Sequence, residues 1–228
     1  MMRRSYGTLA LTVSSPAQVF VEPLSLADVK AFLNRQNVPA DPAEDAMLEG
    51  FITAARALAE TAQNRVLVPK QYDLTLDHFW DNSLDRDNNR RHNWQGDYVV
   101  VNEIQLRSPL ISVDLVRYRD NLGGYTVLTP DVDYIADTAR ALVMPPFNQS
   151  WPSFTPWPSS AVLVRFTSGM TADDVFWSEA GTVVMNGMKY LISEWFNGRL
   201  PFEPAASIQE YPYTVTMLLG HGAIPRVK

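Results

Sequence analysis

The chain has no cysteine. That excludes disulfides, thiolate nucleophiles and cysteine-ligated zinc or iron–sulfur centres together, and it fits folding in a reducing compartment. A run of about 18 apolar residues is also missing, so no membrane span is expected. The opening "MMRRSYGTLALTVSSPAQ" places Arg3 and Arg4 before an apolar run, but threonine breaks that run and it falls short of a signal peptide's ~7–15 residues. It reads as a flexible arm. The phosphate loop GxxxxGK[ST], the dinucleotide loop GxGxxG, the GxSxG elbow and the HExxH helix are all absent. His78, His92 and His221 stand in separate polar or terminal contexts, the pattern of surface histidine rather than of a triad or metal site. Positive charge is scarce as well: 25 acidic against 19 basic residues leave a net charge of −6, and only Arg90–Arg91 cluster, beside Asp85 and Asp87. A general nucleic-acid binder needs a dense cationic face, so that class is set aside.

What is present is turn chemistry and core. Sixteen prolines and eleven glycines imply many turns rather than one long bundle, and a 46% hydrophobic content is ample for a core. At 228 residues the chain can hold one large domain or two small ones.

A helix signal begins at Leu24. Ser25 can cap it with Asp28 completing a capping box, Leu26, Val29, Phe32 and Leu33 make its stripe, and Pro39 ends it. Asp41 caps a second helix, with Pro42 in the favoured first position and Glu44 closing the box. Its stripe, Met47, Leu48, Phe51, Ile52, Ala55, Leu58, Ala59 and Ala62, keeps a 3.6 period. From Val66 the period changes to two. Tyr72, Leu74 and Leu76 share one face, and Tyr98, Val100, Ile104 and Leu106 another. Ile111, Val113 and Leu115 have the opposite parity to Val116 and Tyr118, which predicts a bulge near Leu115. Val162, Val164 and Phe166 form a further strand. The helical period returns in Val184, Met188, Leu191, Ile192 and Trp195 between about Ser178 and Asn197, with Gly198 as stop, and a short last helix covers Tyr213 to Leu219. The fold class is α+β: an N-terminal helical hairpin and C-terminal helices packed together, with an antiparallel β region between them in sequence. The expected organisation is an arm over 1–22, one domain over 23–219 (helices in 24–65 and 178–219, strands in 66–170) and a tail over 220–228.

Several stretches invite chemistry. In "DRDNNRRHNWQGD", Asp85, Asp87 and Asn89 match the first ligands of a calcium loop, but Arg90 replaces the glycine and Gly96 the bidentate glutamate, so a solvated loop is the reading. Asp131/Asp133 and Asp173/Asp174 sit in turn sequences and read as turn caps rather than as general acid and base. "DNLGG" joins two strands, with Gly123 or Gly124 taking the positive φ, and the charges of that hairpin are solvent-facing. The tract "FNQSWPSFTPWPSS" carries Trp151, Phe154 and Trp157, which can stack on a sugar or fill a partner's pocket, or can cover the sheet as a folded-over loop. With Trp80, Asp85, Asp87, Arg90, Arg91 and Trp94, they are the candidates for contact with a neighbouring subunit or connector. No cofactor and no catalytic or metal-ligating set is expected.

The order of segments resembles the head–tail connector (adaptor) proteins of long-tailed bacteriophages. The resemblance rests on "PLSLADVKAFLNR", "EDAMLEGFITAARALAETAQNRVLV", "YDLTLDHF", "IQLRSPLISVDLVRYRDNLGGY", "PDVDYIAD", "FTSGM" and "MKYLISEWFNGR", in that order, across roughly Pro23 to Leu219. The polar insertion from Asp77 to Asp97 is longer than the family's compact turn, and the usual proline before the third helix is missing. The resemblance implies a virion structural protein without enzyme activity, assembled in the host cytoplasm. It implies a homo-oligomeric ring, commonly of twelve subunits, between the portal and a tail-side connector or stopper, with DNA passing through its centre and no membrane partner. It further implies portal docking through the C-terminal segment Gly220, His221, Gly222, Ala223, Ile224, Pro225, Arg226, Val227 and Lys228, where the glycines free the backbone and Ile224 and Pro225 offer an anchor. A disordered tail is the alternative there. Two other functions compete with this one: a carbohydrate-binding β module, suggested by the tryptophans, and a carboxylate-dependent hydrolase using pairs such as Asp131 and Asp133.

Overall fold

The computed structural model describes residues 12–13, 22–79, 90–92, 98–100, 103–171, 173–198, 213–221 and 223. The chain divides into two compact units, Met1–Gln18 with Pro69–Gly169 and Val19–Val68 with Met170–Lys228. The first is built of strands and the second of helices.

The helical unit contains α1 (Leu26–Phe32), α2 (Pro42–Gln63), α3 (Ala180–Asn197) and α4 (Tyr213–Gly220), with a 3-10 turn at Val175–Ser178 before α3. The capping box forms as expected: Ser25 Oγ accepts from the Asp28 amide, and the Asp28 carboxylate accepts from the Ser25 amide, each at 3.1 Å. The Ser25 hydroxyl also donates to that carboxylate, and this bond first, then the Ser25 amide, with Lys189 adding a weaker pull, holds the Asp28 carboxyl below the usual carboxylate range. Helix α1 stops at Leu33, earlier than Pro39, because Asn34 turns left-handed at φ 56°. Asp41 caps α2 through the Ala43 amide at 3.0 Å, with Pro42 behind it. Glu44 does not close a box. It accepts instead from Arg35 Nε and Nη2 at 3.1 and 2.7 Å, fastening the connection to α2.

Helices from the two ends of the chain share one core. Leu48, Ile52, Ala55 and Ala59 of α2 are buried with Val184, Met188, Leu191 and Ile192 of α3 and Val215 and Leu219 of α4. Gly187 brings α3 close to α4, since a Cβ there would lie 3.0 Å from Leu218 Cβ and 3.2 Å from the Leu219 amide nitrogen. Gln63 continues the buried stripe of α2 and is fully enclosed. Its Nε2 donates to the carbonyl oxygens of Leu219 and His221, the latter at 2.9 Å, which ties the end of α4 to the end of α2. Trp195, expected in the core, is half-buried at the margin of α3, its ring 5.7 Å from that of Phe51.

The strand unit contains β1 (Thr12–Val13), β2 (Lys70–Leu76), β3 (Arg90–His92), β4 (Tyr98–Val100), β5 (Ile104–Gln105), β6 (Leu110–Arg119), β7 (Tyr125–Val127), β8 (Ile135–Asp137), β9 (Leu142–Met144) and β10 (Val162–Ser168). They form a five-stranded sheet in the order β1-β2-β10-β6-β7, a pair β3-β4 and a three-stranded sheet β5-β9-β8, with every pairing antiparallel. The arm therefore supplies an edge strand at Thr12–Val13, and the polar insertion contains a strand at Arg90–His92. Val162, Val164 and Phe166 are buried in alternation along the central strand β10, facing Leu74 and Val116.

The parity switch in β6 is a bulge. Leu115 lies opposite Arg165 but Val113 opposite Phe166, so Asp114 is the extra residue. Its carboxylate accepts from Gln71 Nε2, Ser112 Oγ and Thr167 Oγ1 at 2.7–3.0 Å. After the bulge Val116 and Tyr118 point to the buried side, and Arg117 and Arg119 to the other.

Candidate functional site

The face of the five-stranded sheet opposite its core is set by that bulge and by register. Thr75, Leu163, Arg117 and Val127 form one cross-strand row, Asp73, Arg165 and Leu115 a second, and Arg119 lies opposite Tyr125. In the second row Arg165 donates through Nε and Nη2 to the two carboxylate oxygens of Asp73, both at 2.7 Å. That fork holds the Arg165 guanidinium above its ordinary pKa. The charge of Arg165 is thus met within the sheet.

Arg117 and Arg119 are met differently. The Arg117 guanidinium lies over the Tyr125 ring at 4.6 Å. Arg119 is shared between Tyr125 at 5.2 Å and Trp157 at 3.8 Å. Such stacking orients a guanidinium and shields its faces but leaves its in-plane donors unspent. The Nε of each arginine is buried without a hydrogen-bond partner, and neither side chain pairs with a carboxylate among the described residues.

Local sequence explains the arrangement. Asp120 Oδ1 accepts from the Leu122 and Gly124 amides at 2.9 and 2.8 Å, so the nearest carboxylate is committed to the turn. Gly123 takes φ 88°, one of the two positions expected for it. A Cβ there would meet Arg119 Nη2 at 3.4 Å, ordinary van der Waals contact, so it is the positive φ rather than lack of space that calls for glycine. The aromatic tract then joins the end of β6: the Trp157 amide donates to the Arg119 carbonyl at 3.1 Å, the Asn121 amide to the Thr155 carbonyl at 2.9 Å, and Asp120 and Pro156 form a β-bridge. Leu122, Tyr125 and Val127 around the arginines are exposed, at 89%, 57% and 58%.

The other residues singled out from sequence separate into three groups. Trp151 is 4% exposed and stacks on Phe79 with centroids 4.6 Å apart, while Phe154 rests on Tyr118 at 4.3 Å. These two rings close the core side of the sheet as a folded-over loop, and burial removes Trp151 from any contact surface. Arg90 and Arg91 lie in β3, opposite Val100 and Val99. Trp80, Asp85, Asp87 and Trp94 lie outside the described residues, as do Gly222 and Ile224, Pro225, Arg226, Val227 and Lys228 of the tail. Gly220 ends α4, His221 gives its carbonyl to Gln63, and the Ala223 amide donates to the Gly220 carbonyl at 3.1 Å, so the start of the tail is fixed to the helical unit.

One carboxylate of each pair acts as a turn cap. Asp133 Oδ2 accepts from the Thr129 amide at 2.8 Å, and Asp174 Oδ1 from the Phe176 amide at 2.9 Å. Among the described residues no cluster of three or more His, Asp or Glu could hold a metal ion, and no helix is long and apolar enough to cross a membrane. Sequence reasoning passed over Arg117, Arg119 and Tyr125 as ordinary solvent-facing positions. The signal available was an arginine at every second position beside a turn, with aromatics both in the return strand and in a proline-rich tract.

No family model matches the chain, and no curated protein does. Solved structures do share its fold. A chain from the neck of an empty gene transfer agent (GTA) particle, in C6 symmetry, aligns at a TM-score of 0.63 with 21% identity over 97% of both chains. A chain from the virion of the native GTA particle aligns at 0.61 with 19% identity over 96% of this chain and 98% of that one. A chain from the native GTA neck, in C12 symmetry, aligns at 0.58 with 19% identity over 96% and 97%.

Proposed function

We propose that this chain is a head–tail connector (adaptor) of a phage-like virion, forming a homo-oligomeric ring between the portal and a tail-side connector, through which DNA passes. The observation that carries the reading is the fold shared over 96–97% of this chain with chains of gene transfer agent particles, two of them from the neck. The order of segments along the sequence supports the same assignment independently of the fold. Net charge supports it as well, because a conduit of net charge −6 does not retain the phosphates that slide past it. In this reading the connector domain spans 23–219, residues 220–228 dock on the portal, and the polar insertion over 77–97 reaches a neighbouring subunit or connector.

The test is an image of purified particles carrying a tagged copy of the chain. A symmetric ring of tag at the head–tail junction is the expected result, and tag in the capsid shell, the tail tube or the fibres overturns the reading. Portal docking has its own test in a chain ending at Ala223, which keeps the His221 carbonyl that Gln63 needs. It should fold as the full chain does by circular dichroism but fail to attach to portal-bearing heads. Undiminished attachment removes residues 224–228 as the docking element.

A further inference from the structure

We infer that Arg117 and Arg119, held by Tyr125 and Trp157 on the hairpin β6–β7, take carboxylates of a second copy of this chain, making this face one side of the contact between adjacent subunits. The inference rests on the ring assembly proposed above and names the surface that ring would use.

Three observations converge on it. The first is unspent donor capacity. Among the described residues, Arg165 on this face is neutralised by Asp73, whereas Arg117 and Arg119 meet only aromatic rings. A stacked guanidinium is pre-ordered, so little side-chain entropy remains to be lost when an oxyanion arrives, and its planar fork suits a carboxylate. The second is the surround. Leu122, Tyr125 and Val127 flank the arginines with exposed apolar surface. A protein face can bury such surface together with the charges, which is the composition of an interface centre enriched in arginine and aromatics. The third is complementarity. The chain carries 25 acidic against 19 basic residues, so a second copy presents an excess of the charge these arginines lack.

A nucleic-acid backbone fits the same face less well. Asp114 and Asp120 stand on the same strand and at its turn, and Arg165 is already compensated. A polyanion would therefore meet Arg117 and Arg119 among carboxylates rather than a continuous basic track.

The test uses the full chain in sedimentation velocity over a concentration series. Wild-type protein should self-associate, and association should weaken as NaCl rises from about 50 to about 500 mM, because the Debye length shortens about threefold. The double variant R117Q/R119Q should raise the dissociation constant by about tenfold or more while its thermal midpoint by circular dichroism stays near the wild-type value. R117K/R119K keeps the charge but loses the fork and should fall between the two, which preserves the test if the glutamine variant fails to fold. Equal self-association by wild type and both variants overturns the inference. So does a wild-type chain that stays monomeric to its highest soluble concentration. Arginine-dependent retention of a short DNA duplex by that monomer would reassign the face to phosphate. None of these results bears on the position of the chain in the particle, which the tag image decides alone.

Discussion

Replacing Gln63 by glutamate isolates the tie between α2 and α4. The side chain is fully enclosed, its Nε2 donates to two carbonyl oxygens, and its own Oε1 has no partner. The site therefore demands a donor and offers nothing to an acceptor. Gln63→Glu keeps the volume and removes the donors. Two lost bonds at about 1 kcal/mol net each, plus a buried carbonyl left unmet at about 1–3 kcal/mol, sum to about 3–5 kcal/mol. For a chain of this size, at about 2–4 °C per kcal/mol, the thermal midpoint should fall by about 6–20 °C near neutral pH. The loss should shrink in acid. A carboxylate facing two carbonyls in an enclosed site is disfavoured, so burial raises its folded pKa above the unfolded value of ~4.3. Stability is then highest below the unfolded pKa, where the protonated acid can donate one bond, and is lost as pH rises through the folded pKa. Circular dichroism melts of wild type and Gln63→Glu, run from about pH 4 to pH 8, measure the difference directly. A variant that melts with wild type at every pH would refute the argument, because the amide would then not be the group holding the helix end.

Three further outcomes follow from the packing. Met188→Ala in the centre of α3 should cost about 2–5 kcal/mol in urea titration, whereas Trp195→Ala, at the half-buried margin, should cost well under half as much. Ser25→Ala should cost about 0.5–2 kcal/mol, and part of that cost should disappear in acid. Asp28 has a lowered pKa owing chiefly to Ser25, so its contribution is present above the unfolded carboxyl pKa and is lost as pH falls through the folded one. Gly123→Ala should cost about 1–3 kcal/mol, since φ 88° disfavours an L side chain; a melt matching wild type would contradict the turn geometry.

What could be read from sequence was whatever depends on near neighbours. The Ser25/Asp28 box spans four residues, the period of Val162, Val164 and Phe166 spans five, and the bulge at Asp114 showed as a parity break within one strand. What escaped was decided at long range or by a residue acting against its type. Gln63 lies four residues beyond Ala59 on the buried stripe, yet its polarity argued for solvent, and its partners are 156 and 158 residues away. Arg119 reads as a solvated strand position until Trp157 is brought against it by the bridge at Pro156. Glu44 followed the capping-box spacing but found a stronger donor in Arg35. Trp195 kept the helical period, but a period fixes direction around an axis and not how far the neighbours extend to cover it.

The discontinuous make-up of the helical unit has a consequence for how the chain is born. Its first half, Val19–Val68, leaves the ribosome long before Met170–Lys228 exists. At about 5–20 residues per second, the 156 residues between Gln63 and Leu219 take roughly 8–30 s to synthesise. For most of that interval Leu48, Ile52, Ala55 and Ala59 have no α3 to cover them, and α4 comes only at its end, while every strand of the five-stranded sheet is available by Ser168. The sheet can therefore complete its pairings first, and the nascent α2 is the segment a ribosome-associated chaperone would find exposed. Overproduction that outruns such chaperones should yield aggregates whose protected core maps to α2.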